Sequence, residues 1–362
     1  MSAYVLALLL LAPPQVLPPD PARDAWQALQ AGDGEKAAAA FKTMLASNPN
    51  DVRALTGAGI AAHMTGRDDQ ALSYLKRAVQ VDPDSAEANS YLAQAAYVQG
   101  DLDLAIKAGE RYMKKSPGDR EAAKQIEVWK KEAALHDSYA VAPTSHFSVM
   151  FEGTTQQDIA TRVVNVLEAA YTRVGAHLSL PTDSVTAILY TGEQFRDITK
   201  SPSWAAGAYD GRIRIPVRGA LSVPAELERV VTHEYVHAVI HQLYPRIPLW
   251  LNEGLATYFE ANDHTWLTGR LRGAEVIPIG RLDEAFEAQD RADAVTAYAE
   301  AYLGARILVN RLGQNLPVFL TYVSSGTAID QALPLFNISE ADVEQEWTRA
   351  ISPSTPARRP KH

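Results

Sequence analysis

"VVTHEYVHAVIH", residues 230–241, sets three histidines at four-residue intervals with a glutamate directly after the first. In the wider stretch "ELERVVTHEYVHAVIHQLY" (226–244), Leu227, Val230, Val231, Val236, Val239, Ile240 and Leu243 are the apolar positions of a buried helix. On that helix His233 and His237 lie one turn apart and project together. Two imidazoles so placed can reach one zinc ion at about 2.0–2.1 Å. Glu234 points to the side of the pair, where its carboxylate can reach a metal-held water without ligating the ion. The spacing is H-E-x-x-H. With nine histidines in the chain, a chance match is on the order of 1 in 100, so a third ligand is required before the pattern carries chemistry.

His241 does not supply it. Three consecutive turns of a rigid helix spread their ligands along a line of roughly 12 Å. The longer pattern H-E-x-x-H-x-x-G-x-x-H also fails, because Ile240 and Leu243 stand at its glycine and last histidine. Downstream, "YPRIPLWLNEGLATYFEAN" (244–262) reads as a proline-bounded loop leading into a second short helix. Glu253 sits near the start of that helix, between Asn252 and Gly254, with Leu255, Tyr258 and Phe259 as its packing face. A loop of this length can fold the second helix back on the first. Two histidines and one glutamate would then hold one zinc ion and leave a coordination position open.

"HEYVH" followed by "WLNEGLATYFE" resembles the gluzincins, metallopeptidases with a glutamate third ligand, and most closely the peptidase MA-like group. The likeness covers roughly 145–320 and is sharpest at 204–260. It implies His233, His237 and Glu253 as zinc ligands and Glu234 as general base. It also implies a tyrosine hydroxyl facing the base to stabilise the oxyanion. "AYAEAYLGARILVNRLG" (297–313) offers Tyr298 and Tyr302 one turn apart, and Tyr298 is preferred. "AGAYDG" before an isoleucine-rich strand is similar to the group's edge strand, which implies pairing of an extended peptide substrate near 212–216. The G-x-M-E-N stretch that aminopeptidases of this clan use to hold a substrate amine is missing, which favours an endopeptidase.

The first third repeats itself. Gly32, Gly66 and Gly100 are 34 residues apart, as are Ala37, Ala71 and Ala105, and Pro49, Pro83 and Pro117. Helix, glycine turn, helix and proline break every 34 residues is the tetratricopeptide pattern. It resembles that family from about 20 to 119, with 120–136 as an amphipathic capping helix. Small residues near the turn let paired helices approach, while Phe41, Leu75, Leu55 and Leu92 fill the layers. The resemblance implies a peptide or protein partner on the repeats; a purely bracing role fits the residues equally.

After 137–145, read as a linker, composition shifts. Strand-like alternation appears at 146–153, 184–191 and 206–219, with a helix at 156–178, and helices fill 225–350. Pro216 restricts the third strand to an edge. The expected fold class is therefore α+β: an all-α tetratricopeptide solenoid (20–136) followed by a gluzincin-like domain (146–350) of small mixed sheet plus helices. Residues 351–362 read as a disordered tail.

Bulk properties narrow the partners. Of 362 residues 47% are hydrophobic and 21% charged, an ordinary globular balance. The net charge is -9 and no basic patch stands out, which argues against nucleic acid. The absence of cysteine excludes disulfides, thiolate ligands and a cysteine nucleophile. "YVLALLLLA" (4–12) is too short to span a bilayer and fits the apolar core of an export signal within 1–19. The mature protein is then expected outside the cytoplasm without a membrane span. The sequence thus reads as an exported zinc metallopeptidase acting on peptides or proteins. The alternative is a tetratricopeptide adaptor whose peptidase-like domain binds peptide with little or no turnover.

Overall fold

The computed structural model describes residues 22–352 except 154–155, 182–183, 200–206, 218–223, 261–263, 273, 275–276 and 288–290. The apolar run at 4–12 and the tail beyond 352 lie outside the described residues. The chain divides into two compact units: Met1–Thr161 with Val185–Arg218, and Arg162–Ser184 with Gly219–His362.

The first unit opens with helices α1 (Ala22–Gln30), α2 (Gly34–Ser47), α3 (Val52–Met64), α4 (Asp68–Val81), α5 (Ala86–Val98), α6 (Leu102–Lys115) and α7 (Arg120–His136). Most starts are capped. Asp33, Asp51, Ser85, Asp101 and Asp119 each accept a backbone N–H of the first turn, worth about 1 kcal/mol apiece. Gly32, Gly66 and Gly100 turn the chain at φ 78°, 72° and 80°, a region only glycine enters without cost. Packing follows the 34-residue period. A side chain at Gly57 would strike the Phe41 ring, and one at Gly59 would strike Leu75. In the third repeat Gly109 takes the place of Phe41 and Leu75. The space it leaves is filled by Ile126 and Trp129 of α7, which is how the last helix closes the array.

The same unit holds a five-stranded sheet: β1 (Tyr139–Pro143), β2 (Phe147–Glu152), β3 (Val185–Thr191), β4 (Ala208–Tyr209) and β5 (Ile213–Val217), in the order β1-β2-β3-β5-β4. The β1–β2 and β4–β5 pairs are antiparallel, while β2–β3 and β3–β5 are parallel. Two expectations change here. The stretch read as a linker, 137–145, contains β1, which pairs with β2 along its whole length. Thr144 closes the hairpin by accepting from the backbone of His146 and Phe147. The strand carrying Pro216 is second from the edge, because β4 lies outside it. Since β4 pairs only with Ile213 and Arg214, Pro216 falls past the end of that ladder.

Helix α7 covers this sheet as well as the repeats. Its Val128 and Leu135 pack on a buried cluster of Ile188 and Tyr190 from β3 with Phe195 and Ile198 from helix α9 (Gly192–Thr199). Within the apolar contact Glu132 and Arg214, both fully buried, pair at 2.7 Å. His136 Nε2 lies 2.9 Å from the Tyr190 hydroxyl.

The second unit takes most of helix α8 (Gln157–Gly175), then α10 (Pro224–Leu243), α11 (Leu249–Phe259), α12 (Thr265–Arg270), a 3-10 segment (Ile279–Glu287), α13 (Arg291–Leu312), α14 (Leu316–Ser324), α15 (Ile329–Ala332) and α16 (Glu340–Ile351). Helix α13 is central. Ala297, Ala301, Ala305 and Leu308 along it are buried, and α11, α12, α14 and α16 pack around it. Arg173 on α8 ties two neighbours together, donating to the Phe259 carbonyl at 3.1 Å and to Thr232 Oγ1 at 3.0 Å. No helix among the described residues is long and apolar enough to cross a membrane.

The buried groups on α7 make the first unit acid-sensitive. Burial, helped by Arg212 and Arg214 and opposed by Glu132, pushes the His136 imidazole down to about 4. Burial opposes ionisation of Glu132, but Arg214 and Arg212 outweigh it and hold the carboxyl below its usual range. Both groups bind fewer protons folded than unfolded. Their stabilisation is complete at neutral pH and is lost as pH falls, from about 6.5 toward about 4 for His136 and lower still for Glu132. Urea midpoints of the first unit should fall through this window as pH drops. His136 should contribute on the order of 3 kcal/mol, and a His136→Gln variant should flatten the upper part of the curve.

Candidate metal centre

Helix α10 is buried along Leu227, Val230, Val231, Val236, Val239 and Ile240, so its orientation about its own axis is set by the core. That orientation brings His233 and His237 out on one side, ring centroids 4.7 Å apart and nearly perpendicular. After the turn at 244–247, Pro248 caps α11 and fixes where it begins. Glu253, one turn in, is only 3% exposed. Its Oε2 lies 3.5 Å from His233 Nε2 and 3.7 Å from His237 Nε2. One ligand atom from each of His233, His237 and Glu253 falls within 4.8 Å of the others, a set that could hold a metal ion. Among the described residues this is the group of three donors so arranged, and His241 is outside it.

The far side of each ring is engaged too. His233 Nδ1 is 2.8 Å from Glu260 Oε1, and His237 Nδ1 is 3.0 Å from Asn252 Oδ1. These contacts direct both Nε2 atoms toward Glu253, the orientation in which the imidazoles could serve as ligands. Glu260 is itself held by Arg229 at 3.4 Å, which also grips Glu226. The role of Glu260 was not recognised in the sequence. Its signal was present: Glu260 follows Glu253 by seven residues, two turns along the same face.

Electrostatics follow from the burial. Desolvation opposes charge on Glu253, but His237 and His233 outweigh it and keep the carboxyl well below the usual range. Desolvation likewise opposes protonation of His233, yet Glu253 and Glu260 overcome it and raise the ring to about 10. His237, facing an amide on its far side, is lowered by burial. Glu234 is buried and, chiefly by desolvation, pushed up to about 7, within the range of a general base at neutral pH.

Of the two candidate tyrosines, Tyr298 on α13 reaches the site. It hydrogen-bonds Glu253, and burial followed by the Glu253 charge raises its hydroxyl, which stays protonated as a donor. Tyr302 turns elsewhere, its ring 5.0 Å from His264 and 5.6 Å from the Arg306 guanidinium. Gly254 makes the approach of α11 to α13 possible, since a side chain there would collide with the Ala301 carbonyl.

A family model described as the peptidase MA superfamily matches residues 170–352. The chain belongs to the peptidase MA superfamily. Tetratricopeptide-repeat models match 24–80 and 69–120, and a comparison with curated proteins returned no match. The superfamily match contains every residue of the His233, His237 and Glu253 set. The repeat matches end before the sheet begins, so the expected order of repeats and then a peptidase-like α+β region is the observed one.

Two substitutions test this construction. If His233, His237 and Glu253 hold zinc, Glu260→Ala should lower its affinity about 10- to 100-fold in competition with a chromogenic chelator. Gly254→Ala should cost roughly 1–3 kcal/mol in denaturant unfolding, because backbone faces the added methyl.

Proposed function

We propose that the protein is a zinc metallopeptidase that hydrolyses peptide bonds within peptide or protein chains. The observation that carries this reading is the convergence of two Nε2 atoms and one buried carboxylate oxygen, with both outer ring nitrogens already engaged. The donor set fits the ion. Ligands on a tetrahedral zinc with 2.1 Å bonds stand about 3.4 Å apart, against 3.5 and 3.7 Å between Glu253 and the two rings. Three protein ligands, one of them anionic, leave an open position and a net positive charge, the arrangement of a catalytic rather than a structural zinc.

Zinc held there would polarise the scissile carbonyl and acidify a water. The chain's own residues do the remaining work. Glu234 takes a proton from the attacking water and returns it to the amine that departs as the C–N bond breaks. The Tyr298 hydroxyl, which bonds Glu253 in the structure, would turn its one proton to the oxyanion that develops on the carbonyl oxygen. Glu260 and Asn252 hold the two imidazoles in the tautomer that presents Nε2. The tetratricopeptide repeats supply a surface for a substrate or partner protein.

A second reading, a repeat-bearing adaptor that binds peptide and turns over little, is favoured by the repeat matches across 24–120. Turnover separates the two. The purified wild type should contain one zinc per chain and cleave members of an unbiased peptide library. Glu234→Gln should keep the zinc and lose at least about 10²-fold in kcat/KM. Zinc content without cleavage in the wild type would favour the adaptor. Unchanged cleavage by Glu234→Gln would remove Glu234 from the role of base.

A further inference from the structure

The buried ionic cluster of the first unit is larger than one pair, and its members come from two unlike structures. Glu132 stands on α7 and Tyr97 near the end of α5, both in the helical array. Asp210, Arg212 and Arg214 belong to the turn between β4 and β5 and to β5 itself. Arg214 lies 82 residues beyond Glu132 and 117 beyond Tyr97.

The donors of Arg214 are distributed among named acceptors. Nη1 donates to Glu132 Oε1 at 2.7 Å and to the Tyr190 hydroxyl at 2.7 Å. Nη2 donates to the Tyr97 hydroxyl at 2.9 Å, and Nε to Asp210 at 2.9 Å. Tyr97 in turn donates to the second oxygen of Glu132 at 3.1 Å. Arg212 lies with its guanidinium 4.8 Å from the Tyr97 ring centre, donates to the Tyr97 carbonyl at 3.2 Å and stands 3.5 Å from Glu132. Trp129 stacks against the same ring at 5.1 Å. At the turn, Gly211 has φ 98°, and a side chain there would collide with the Val98 carbonyl at the end of α5.

An apolar contact alone would accept a strand pair in several registers. A buried charge set satisfied by one pattern of donors and acceptors accepts one. We infer that residues 208–214 are the resident ligand of the array's C-terminal end, and that the Glu132–Arg214 latch joins repeats and sheet into one cooperative body. The array then braces the strand pair, and a partner protein is left the earlier repeats. This inference is independent of the zinc chemistry and stands or falls separately from it.

Hydrogen exchange of the full chain, read by mass spectrometry on peptides from α7 and from β5, tests it. In the wild type the slowest amides of both elements should open together, with the same dependence on added denaturant. Asp210→Asn is the mild variant, because the Asp210 side chain is 37% exposed and its loss strands no fully buried carboxylate. It should speed exchange several-fold in α7 and β5 alike. Glu132→Gln should speed both at least tenfold, and the apolar set Glu132→Leu with Arg212→Leu and Arg214→Met should return much of the shared protection, since it removes the buried carboxylate together with both arginines that face it. Opening of the repeats at lower denaturant than β5 in the wild type would overturn the inference. So would acceleration confined to one element in Asp210→Asn, a readout that survives if Glu132→Gln does not fold.

Discussion

A carboxylate buried between two imidazoles is the constraint on which the second unit is built. Glu253 is almost wholly removed from water, and a lone ionised carboxyl there would cost several kcal/mol. His233 and His237, 3.5 and 3.7 Å away, and the Tyr298 hydroxyl offset that cost. That requirement fixes the separation of α10 and α11. It explains the glycine at 254, which lets α11 settle against α13 at backbone distance, and the Arg173 clamp, which holds Thr232 on α10 and the carbonyl of Phe259 at the end of α11.

The first unit solves a similar problem differently. Glu132 and Arg214 are as buried as Glu253, but each finds partners within the unit: two arginines and two tyrosine hydroxyls around Glu132, an aspartate, a glutamate and two tyrosines around Arg214. Such a set is closed and has structural consequences only. The set at His233, His237 and Glu253 is open in the sense that matters chemically, because its three donor atoms face one another and two of them are both bases. Burial of charge alone therefore does not single out a candidate metal site; convergence of electron-pair donors does.

Much of this was legible in the sequence, for physical reasons that differ by element. The repeats were legible because each 34-residue unit must place its small and large residues at the same points, as Gly32, Gly66 and Gly100 do at the turns and Phe41 and Leu75 do in the layers. The H-E-x-x-H helix was legible because helical geometry alone brings i and i+4 together. Glu253 followed from ligand number and loop length. What escaped were contacts between elements distant in the chain. Nothing local marks Arg214 as buried; in a short strand it reads as an outward-facing residue until Glu132, 82 positions earlier, is known to oppose it. The strand at 139–143 escaped because its mixed alanine, proline and tyrosine carry little strand preference, and only pairing with β2 makes it one. Glu260 went unread, since spacing along the helix does not show that it meets His233; that depends on how two helices cross.

The compact units and the family matches divide the chain at different places. The superfamily match runs over 170–352, yet β3, α9, β4 and β5 within it belong to the same compact unit as the repeats. The cause lies in α7, which carries two apolar faces: Ile126 and Trp129 fill the space at Gly109 in the last repeat, and Val128 and Leu135 pack on the sheet. A helix with apolar residues on both sides cannot be left at a domain end without exposing one of them. Cutting the chain between repeats and sheet would strip the cover from Ile188 and Tyr190 and part Glu132 from both Arg212 and Arg214. The recognisable families therefore record ancestry of sequence, while the units that hold together are set by where α7 places its two faces and its one carboxylate.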